Sequence, residues 1–467
     1  MLSELTESSV TFLFSNLRPV DSTSDDAGGV RLVHQPGSVV SSAALIAGTT
    51  VGAGVLALPA VTYPAGVIPS TVLMVSAWLY MLVSGLLVAE ANLQAMRASG
   101  RPDLGLLATI EHSSSGRAKS SLGKWGALFP GKGLAIAAGV VYIFIHYALL
   151  IAYVARGGDI LAAALENFGD EANLLQSVPL WLGHVVFVVV LGGVLYLGSS
   201  WFVGWLNSAL VIFVIVAFVL LLGLSAGQVE PSRWQVQHWE AIGAAVPVMF
   251  VAFVYQNVVP VVTTQLEGDG RRVRLAIVIG SLIPLVMFAL WNAVILGNTA
   301  WSEGTILGDV VDPIELLRRG TAHPSLGVVV SVFSELAIAT SFIGFVFGLL
   351  NVFEDVFAQV MVSPDGSAVR WRQAFFYLLI LAPPLALSVL DPNIFFEAID
   401  VAGAYGNSIL FGIIPAVMVW KYRYKNDSES AFGSMKQADV LVPGGKGLLV
   451  VMISIAVVVI AQNVMLR

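Results

Sequence analysis

Residues 42–59 read SAALIAGTTVGAGVLALP, a stretch apolar enough to enter a bilayer. Its centre, Gly48-Thr49-Thr50-Val51-Gly52-Ala53-Gly54, is built to interrupt a helix. Glycine weakens an α-helix by about 1 kcal/mol relative to alanine. Three glycines and two threonines within seven residues are therefore costly at membrane depth unless the broken backbone is used. Non-helical backbone persists in hydrocarbon only where protein encloses it or a watery cavity adjoins it. Unwound there, the chain offers N–H groups to a carboxylate and C=O groups to a cation, the device of discontinuous helices in secondary transporters. Gly48 and Gly52 by themselves also fit a small-residue packing face between helices.

Composition narrows the class. Of 467 residues, 57% are hydrophobic and only 11% charged, and the mean hydropathy is +0.85. A soluble domain carries about 25% charged residues, so this chain belongs in lipid. The absence of cysteine excludes disulfides, thiolate catalysis and thiolate-bound metals. The formal charge of −7 gives no support for nucleic-acid binding. No His/Asp/Glu cluster of the kind a membrane enzyme needs stands out, so neither enzymatic activity nor a cofactor is expected. A channel needs a continuous polar stripe, whereas polarity here gathers in two mid-depth breaks.

Residues 1–37 are polar and serine-bearing, with Asp21, Asp25 and Asp26, and read as a mobile tail. The tail lacks the apolar core of a signal peptide. With only Arg18 and Arg31 as cations it also fits an Arg-rich, acid-poor transit peptide badly. A plasma or inner membrane and a plastid envelope both stay open. Residues 38–467 form the membrane domain. After the broken span 1, span 2 is expected over Pro64–Ala89, and 90–132 is a hydrophilic loop. Spans 3, 4 and 5 follow at about Gly133–Ala155, Leu180–Leu197 and Val203–Ser225. Spans 6, 7 and 8 follow at about Ala241–Val262, Leu275–Leu296 and Leu326–Phe353. Spans 9, 10 and 11 lie at about Ala374–Leu390, Phe395–Trp420 and Lys446–Leu466. Each is near the roughly 20 residues that cross about 30 Å of hydrocarbon.

Orientation follows from the cations. With the N-terminus in the cytosol, the inner side holds Arg97 to Lys132, Arg271, Arg272, Arg274, Arg370, Arg372, Lys421, Arg423, Lys425, Lys436 and Lys446. The outer side keeps Arg156, Arg233, Arg318, Arg319 and Arg467. That asymmetry is the positive-inside signal. If spans 1–5 and 6–10 are inverted copies, span 6 should be interrupted where span 1 is. Its run PVMFVAFVYQNVVP, from Pro247 to Pro260, has the chemistry for a break near Tyr255 to Val258. Gln256 and Asn257 would be costly facing lipid, so they should face the bundle interior. Phe250 and Phe253, at i and i+3, place one ring where it can line a pocket.

Several strings then resemble one family. A-G-T-T-x-G-A-G-x-L-A-x-P at 47–59, Ala339-Thr340-Ser341-Phe342-Ile343-Gly344 with Asn351 and Asp355 beyond, and Tyr147-Ala148 through Tyr153 to Gly157-Gly158-Asp159 resemble the tryptophan/tyrosine permeases. These are the hydroxy and aromatic amino acid permeases of the amino acid–polyamine–cation superfamily. The resemblance runs from Ser38 to the end. It departs in span 6, where Val254, Tyr255 and Gln256 stand for the family's small residue, aromatic and histidine. It implies an all-α, LeuT-type fold: a 5+5 inverted repeat with broken helices 1 and 6 and one extra C-terminal helix. It further implies that residues lining a Na⁺ site map onto Gly48, Val51, Ala337, Thr340 and Ser341, although the bacterial relatives are regarded as proton-coupled.

The expected activity is symport of a neutral, aromatic L-amino acid by alternating access, with H⁺ or Na⁺ and without an obligate protein partner. The carboxylate would meet N–H groups at Gly52, Ala53 and Gly54. The ammonium would meet groups near Thr49, Thr50 and the span 6 break, including Gln256 and Asn257. Tyr147 is preferred over Tyr153, a residue of the interfacial belt, for stacking on the substrate. Glu335 is the chief intramembrane carboxyl, and an acid without a cationic partner avoids the cost of burial by holding a proton. His146 and His184 are weaker carriers. Thr340 and Ser341 could instead bond their own helix carbonyls. The open alternatives are a Na⁺-coupled transporter of broader specificity and a receptor or channel on the same scaffold.

Overall fold

Span 1 is two helices rather than one. Helix 1a (Val39–Thr50) and helix 1b (Gly54–Thr62) meet at a 56° bend. The computed structural model describes residues 17–20, 31–34, 37–52, 54–101, 104–115, 133–171, 179–227, 229–298, 324–357, 366–391, 394–424 and 440–466. Ten further helices among them are long and apolar enough to cross a membrane, making up to eleven spans with the bent pair. Ala53, the rest of loop 90–132 beyond Ser115, and the acidic stretch 299–323 lie outside the described residues. Within the polar tail, Leu17–Val20 pairs antiparallel with Arg31–His34, a pairing that composition did not announce. Among the described residues the membrane domain is all-helical, as expected.

Several helices exceed their expected bounds. Span 2 runs over Val67–Ser99 and span 3 over Gly133–Glu171, so Arg156 and Asp159 stand on a helix rather than in a loop. Part of 90–132 is likewise helical: the end of span 2, then a short helix, Leu106–Ser115. Glu90 lies buried within span 2 rather than in a loop. Its carboxylate accepts a bidentate pair from Arg423 Nε (2.5 Å) and Nη2 (2.6 Å), and a third bond from the Leu441 amide at 3.0 Å. A buried charge is tolerated when it is both paired and hydrogen-bonded.

Span 6 breaks later than its first proline. Helix 6a (Ile242–Ala252) contains Pro247. The chain then leaves the helix at Phe253–Tyr255, makes one 3₁₀ turn at Gln256–Val258 and resumes as helix 6b (Val259–Gln265). Pro260 stands in the first turn of 6b, where its missing N–H costs nothing. Spans 4 and 5 are Leu180–Leu197 and Ser200–Ala226. Spans 7, 8 and 9 are Gly270–Asn298, Pro324–Phe357 and Gly366–Leu390. Span 10 runs from Ile394 to Tyr424 and span 11 is Gly445–Leu466.

The packing has the symmetry of an inverted repeat. Helix 1a and span 2 pack on span 7, 1b packs on 6a, and span 2 packs on both halves of span 6. Exchanging 1 with 6 and 2 with 7 returns the same pairs. Spans 3, 4, 8 and 9 form a second group, with span 5 on span 8 and span 10 on span 3. Polar pins hold the first group at depth. Trp291 Nε1 donates to the Val55 carbonyl at 3.1 Å. Thr62 donates to Asn292 at 2.6 Å, and Asn292 to Ser70 at 2.8 Å. Span 10 is wound as a π-helix over Ala402–Ile413. At Gly403 it comes so close to the Pro247 carbonyl of 6a that a Cβ could not be placed there. Outward faces are apolar, as on span 5, where Phe213 is 59% and Val219 62% exposed.

Candidate functional site

The two breaks face one cavity. Helix 1a ends with Val51 N–H on the Ala47 carbonyl at 2.9 Å, and 1b begins with Val55 N–H on the Gly52 carbonyl at 3.1 Å. Helix 6a ends with Phe253 N–H on the Met249 carbonyl at 3.1 Å. The last carbonyls of a helix and its first amides have no partner within it. The carboxyl ends of 1a and 6a therefore bring partial negative charge to the cavity, and the amino ends of 1b and 6b partial positive charge.

The cavity, of about 60 Å³, is lined from span 1 by Thr49, Thr50, Gly52 and Gly54, from span 6 by Val251, Val254 and Asn257, and from span 8 by Ser341 and Phe345. Span 3 adds Tyr142, Ile145, His146, Leu149 and Tyr153, and span 10 adds Leu410 and Phe411. No Asp, Glu, Lys or Arg stands among these residues, so backbone dipoles and neutral groups are what a charged ligand would meet.

Glycine at Gly52 and Gly54 reflects close approach. A Cβ on Gly54 would lie 3.0 Å from Cα of Ala252, where 1b crosses 6a, and one on Gly52 would collide with the Ser341 hydroxyl. Ser341 is also hydrogen-bonded to the Tyr153 hydroxyl, which joins spans 3 and 8 above the break. Thr49 and Thr50 donate to the carbonyls of Leu45 and Ile46, both at 2.8 Å. Their hydroxyl oxygens remain acceptors. Asn257 Oδ1 is buried without a hydrogen-bond partner.

Other expected site residues lie elsewhere. Tyr147 turns about 100° away from the cavity-facing stripe of span 3, and its hydroxyl donates to the Leu379 carbonyl of span 9 at 2.8 Å. Phe250 stacks on Tyr80 of span 2 with ring centroids 4.8 Å apart, and Phe253 packs on Phe288 of span 7 at 5.3 Å. Gln256 faces the protein interior but away from the cavity. Its amide donates to the Met81 carbonyl at 3.2 Å and its oxygen accepts from the Tyr255 N–H at 3.0 Å.

Of the residues mapped to a Na⁺ site, Ser341 lines the cavity and approaches the span 1 break at Gly52. Thr340 donates to the Ala337 carbonyl at 2.9 Å. Gly48 is exposed, with nothing within 4 Å of a Cβ position, and Val51 is half-buried at the end of 1a. Glu335 stands six residues before Ser341 on span 8, about 9 Å toward the start of the helix at about 1.5 Å per residue. Its Oε2 is buried without a hydrogen-bond partner, and it does not line the cavity.

The sequence reading named His146 and Tyr153 for other roles and missed Tyr142, Leu149 and the face of span 3 that all four share. The signal was present, because spacings of 4, 3 and 4 mark a single helix face. His146 stacks on Tyr142, with ring centroids 3.9 Å apart, and leans on Phe345 at 4.8 Å.

Paired broken helices, an interior cavity free of ionised side chains and a repeat-symmetric bundle define a multi-pass membrane transporter. Among solved structures, MhsT in complex with L-phenylalanine shares this architecture, with a TM-score of 0.56 over 91% of this chain and 99% of that one at 16% identity. The chain belongs to the tryptophan/tyrosine permease family, whose sequence model matches residues 35–463. It is 28% identical to the tryptophan-specific transport protein of Haemophilus influenzae over 83% of this chain and 88% of that protein. It is 29% identical to tyrosine-specific transport system 2 of the same organism over 82% and 88%. These relatives are transport proteins and not enzymes.

Proposed function

We propose that this protein is a secondary active transporter that carries a neutral aromatic L-amino acid together with a proton, its cavity opening alternately to the two sides of the membrane. The observation that carries the reading is the meeting of four half-helix ends at a cavity without ionised side chains. A zwitterion needs both signs of charge at close range. The amino ends of 1b and 6b suit its carboxylate. The carboxyl ends of 1a and 6a, with the acceptors Asn257 Oδ1, Thr49 and Thr50, suit its ammonium. Tyr142, Tyr153, Phe345 and Phe411 around the cavity suit a flat ring, and the relatives' names point to tryptophan and tyrosine.

The proton reading rests on Glu335. An ionised carboxylate with a buried, unpartnered oxygen is costly, and protonation removes that cost. The Na⁺ reading is less well supported, because the Thr340 hydroxyl is turned to the Ala337 carbonyl and Gly48 is exposed. We place the N-terminal side of the bundle in the cytosol on the cation asymmetry.

The test is uptake of labelled tyrosine, tryptophan, phenylalanine and leucine into proteoliposomes, with pH and Na⁺ gradients imposed separately. Accumulation of the aromatic substrates driven by an inward proton gradient is the expected result. Accumulation only under a Na⁺ gradient, or of leucine in preference to all three aromatics, would overturn the proton or the aromatic part respectively.

A further inference from the structure

We infer that His146 is a specificity-determining residue whose Nε2 accepts a hydrogen bond from the N–H or O–H group on the ring of the substrate. This deepens the proposed function and rests on its placing of an aromatic amino acid in the cavity. The other ring nitrogen fixes the tautomer. Nδ1 lies 2.8 Å from the Tyr142 carbonyl oxygen, one turn back on span 3. A carbonyl can only accept, so Nδ1 carries the hydrogen, and in the neutral imidazole Nε2 is left as a bare acceptor. Among the described residues no carboxylate lines the cavity to hold a second proton on the ring.

The ring is held in place. One face stacks on Tyr142 and Phe345 leans on it from span 8. Nε2 sits over Gly348, where a Cβ would come within 2.6 Å, and the Tyr142 hydroxyl lies 3.2 Å from the same point. Glycine at 348 leaves room for the edge of the ring against span 8. Among the described residues Nε2 has no hydrogen-bond partner, and it is not among the polar atoms sealed from access.

Position supplies the selectivity. His146 lies seven residues before Tyr153, about 10 Å along span 3 at about 1.5 Å per residue. The Tyr153–Ser341 bond and Gly52 stand at the break; His146 stands at the far end of the same cavity. A substrate whose amino and carboxyl groups occupy the break reaches His146 only with a long side chain. An indole N–H or a phenol O–H can then satisfy Nε2, whereas an unsubstituted phenyl ring leaves it unpaired. Sites built around a polar contact reject analogues that lack it.

The experiment is equilibrium competition binding on the full-length protein in lipid nanodiscs. Its ligands are tryptophan, tyrosine, phenylalanine and benzothienylalanine, the tryptophan analogue with sulfur in place of the indole N–H. Wild type should favour tryptophan over benzothienylalanine and tyrosine over phenylalanine by about tenfold each. His146→Phe should lose both preferences and keep phenylalanine binding. Equal wild-type affinity for tryptophan and its sulfur analogue, an arm that needs no variant, would overturn the inference. So would a His146→Phe protein that loses all three natural ligands in proportion. Binding of phenylalanine without either preference brings down this inference alone. Failure of every aromatic ligand where another amino acid binds brings down the proposed function with it.

Discussion

At the scale of single residues, two positions carry the proposed chemistry in different ways. Glu335 stands outside the cavity, so the part in coupling proposed for it would be exerted through the population of conformations rather than by touching substrate. Glu335→Gln keeps the shape and abolishes the titration. We expect this variant to lose accumulation driven by a pH gradient while still exchanging labelled for unlabelled substrate across the membrane. Retained concentrative uptake that collapses when Na⁺ is withdrawn would instead assign coupling to Thr340 and Ser341. Gly54 acts by what it lacks. With Ala252 Cα 3.0 Å from its Cβ position, Gly54→Leu must push 1b off 6a and open the seam on which the cavity depends. Transport should fall to background while the membrane-inserted amount stays at the wild-type level, because insertion follows overall hydrophobicity. Normal uptake at equal expression would place the substrate elsewhere.

At the scale of elements, the ends of spans 2, 10 and 11 that meet at Glu90 are tied more firmly than an apolar bundle requires. The Glu90–Arg423 pair joins span 2 to span 10, and through the Val442 carbonyl, 2.8 Å from Arg423 Nη2, to the start of span 11. Both side chains are nearly sealed, at 1% and 7% exposed. Breaking such a pair leaves a buried charge and costs about 3–5 kcal/mol, whereas replacing both partners by apolar residues can be close to neutral. Glu90→Leu and Arg423→Met should therefore each lower the unfolding temperature of the detergent-solubilised protein, and the double variant should recover most of the loss. Additive losses in the double variant would show that each residue acts by itself. Span 10 adds a second element-scale feature, because a π-helix of this length is uncommon and such turns gather at functional sites. Here it presents Leu410 and Phe411 to the cavity and Gly403 to 6a.

At the scale of the whole molecule, the orientation proposed from the cations can be tested cleanly because the chain has no cysteine. Gly105 and Gly227 are exposed, and a Cβ at either meets nothing within 4 Å. They lie on opposite ends of the bundle, Gly105 between spans 2 and 3 and Gly227 between spans 5 and 6. In intact cells, an impermeant thiol reagent should label Gly227→Cys and leave Gly105→Cys unreacted until the membrane is opened. The reverse pattern would mean that the N-terminal side faces outward.

The sequence by itself determined membrane residence, the number of spans and the places where spans 1 and 6 are interrupted. Those properties follow from the bilayer as solvent: it demands runs of about 20 apolar residues and admits glycine-, threonine- and proline-rich breaks only where protein encloses them. Only the tertiary structure decided which face of each helix meets the cavity. A soluble helix announces its inner face by an apolar stripe, but here lipid-facing and protein-facing sides are both apolar, and packing sets the rotation of each helix. That is why Tyr142, His146 and Tyr153 line the site while Tyr147 bonds span 9. It is also why Gln256 reaches span 2. Glu90, read from the sequence as a loop residue, becomes a buried ion pair because Arg423, 333 residues away in sequence, is brought against it.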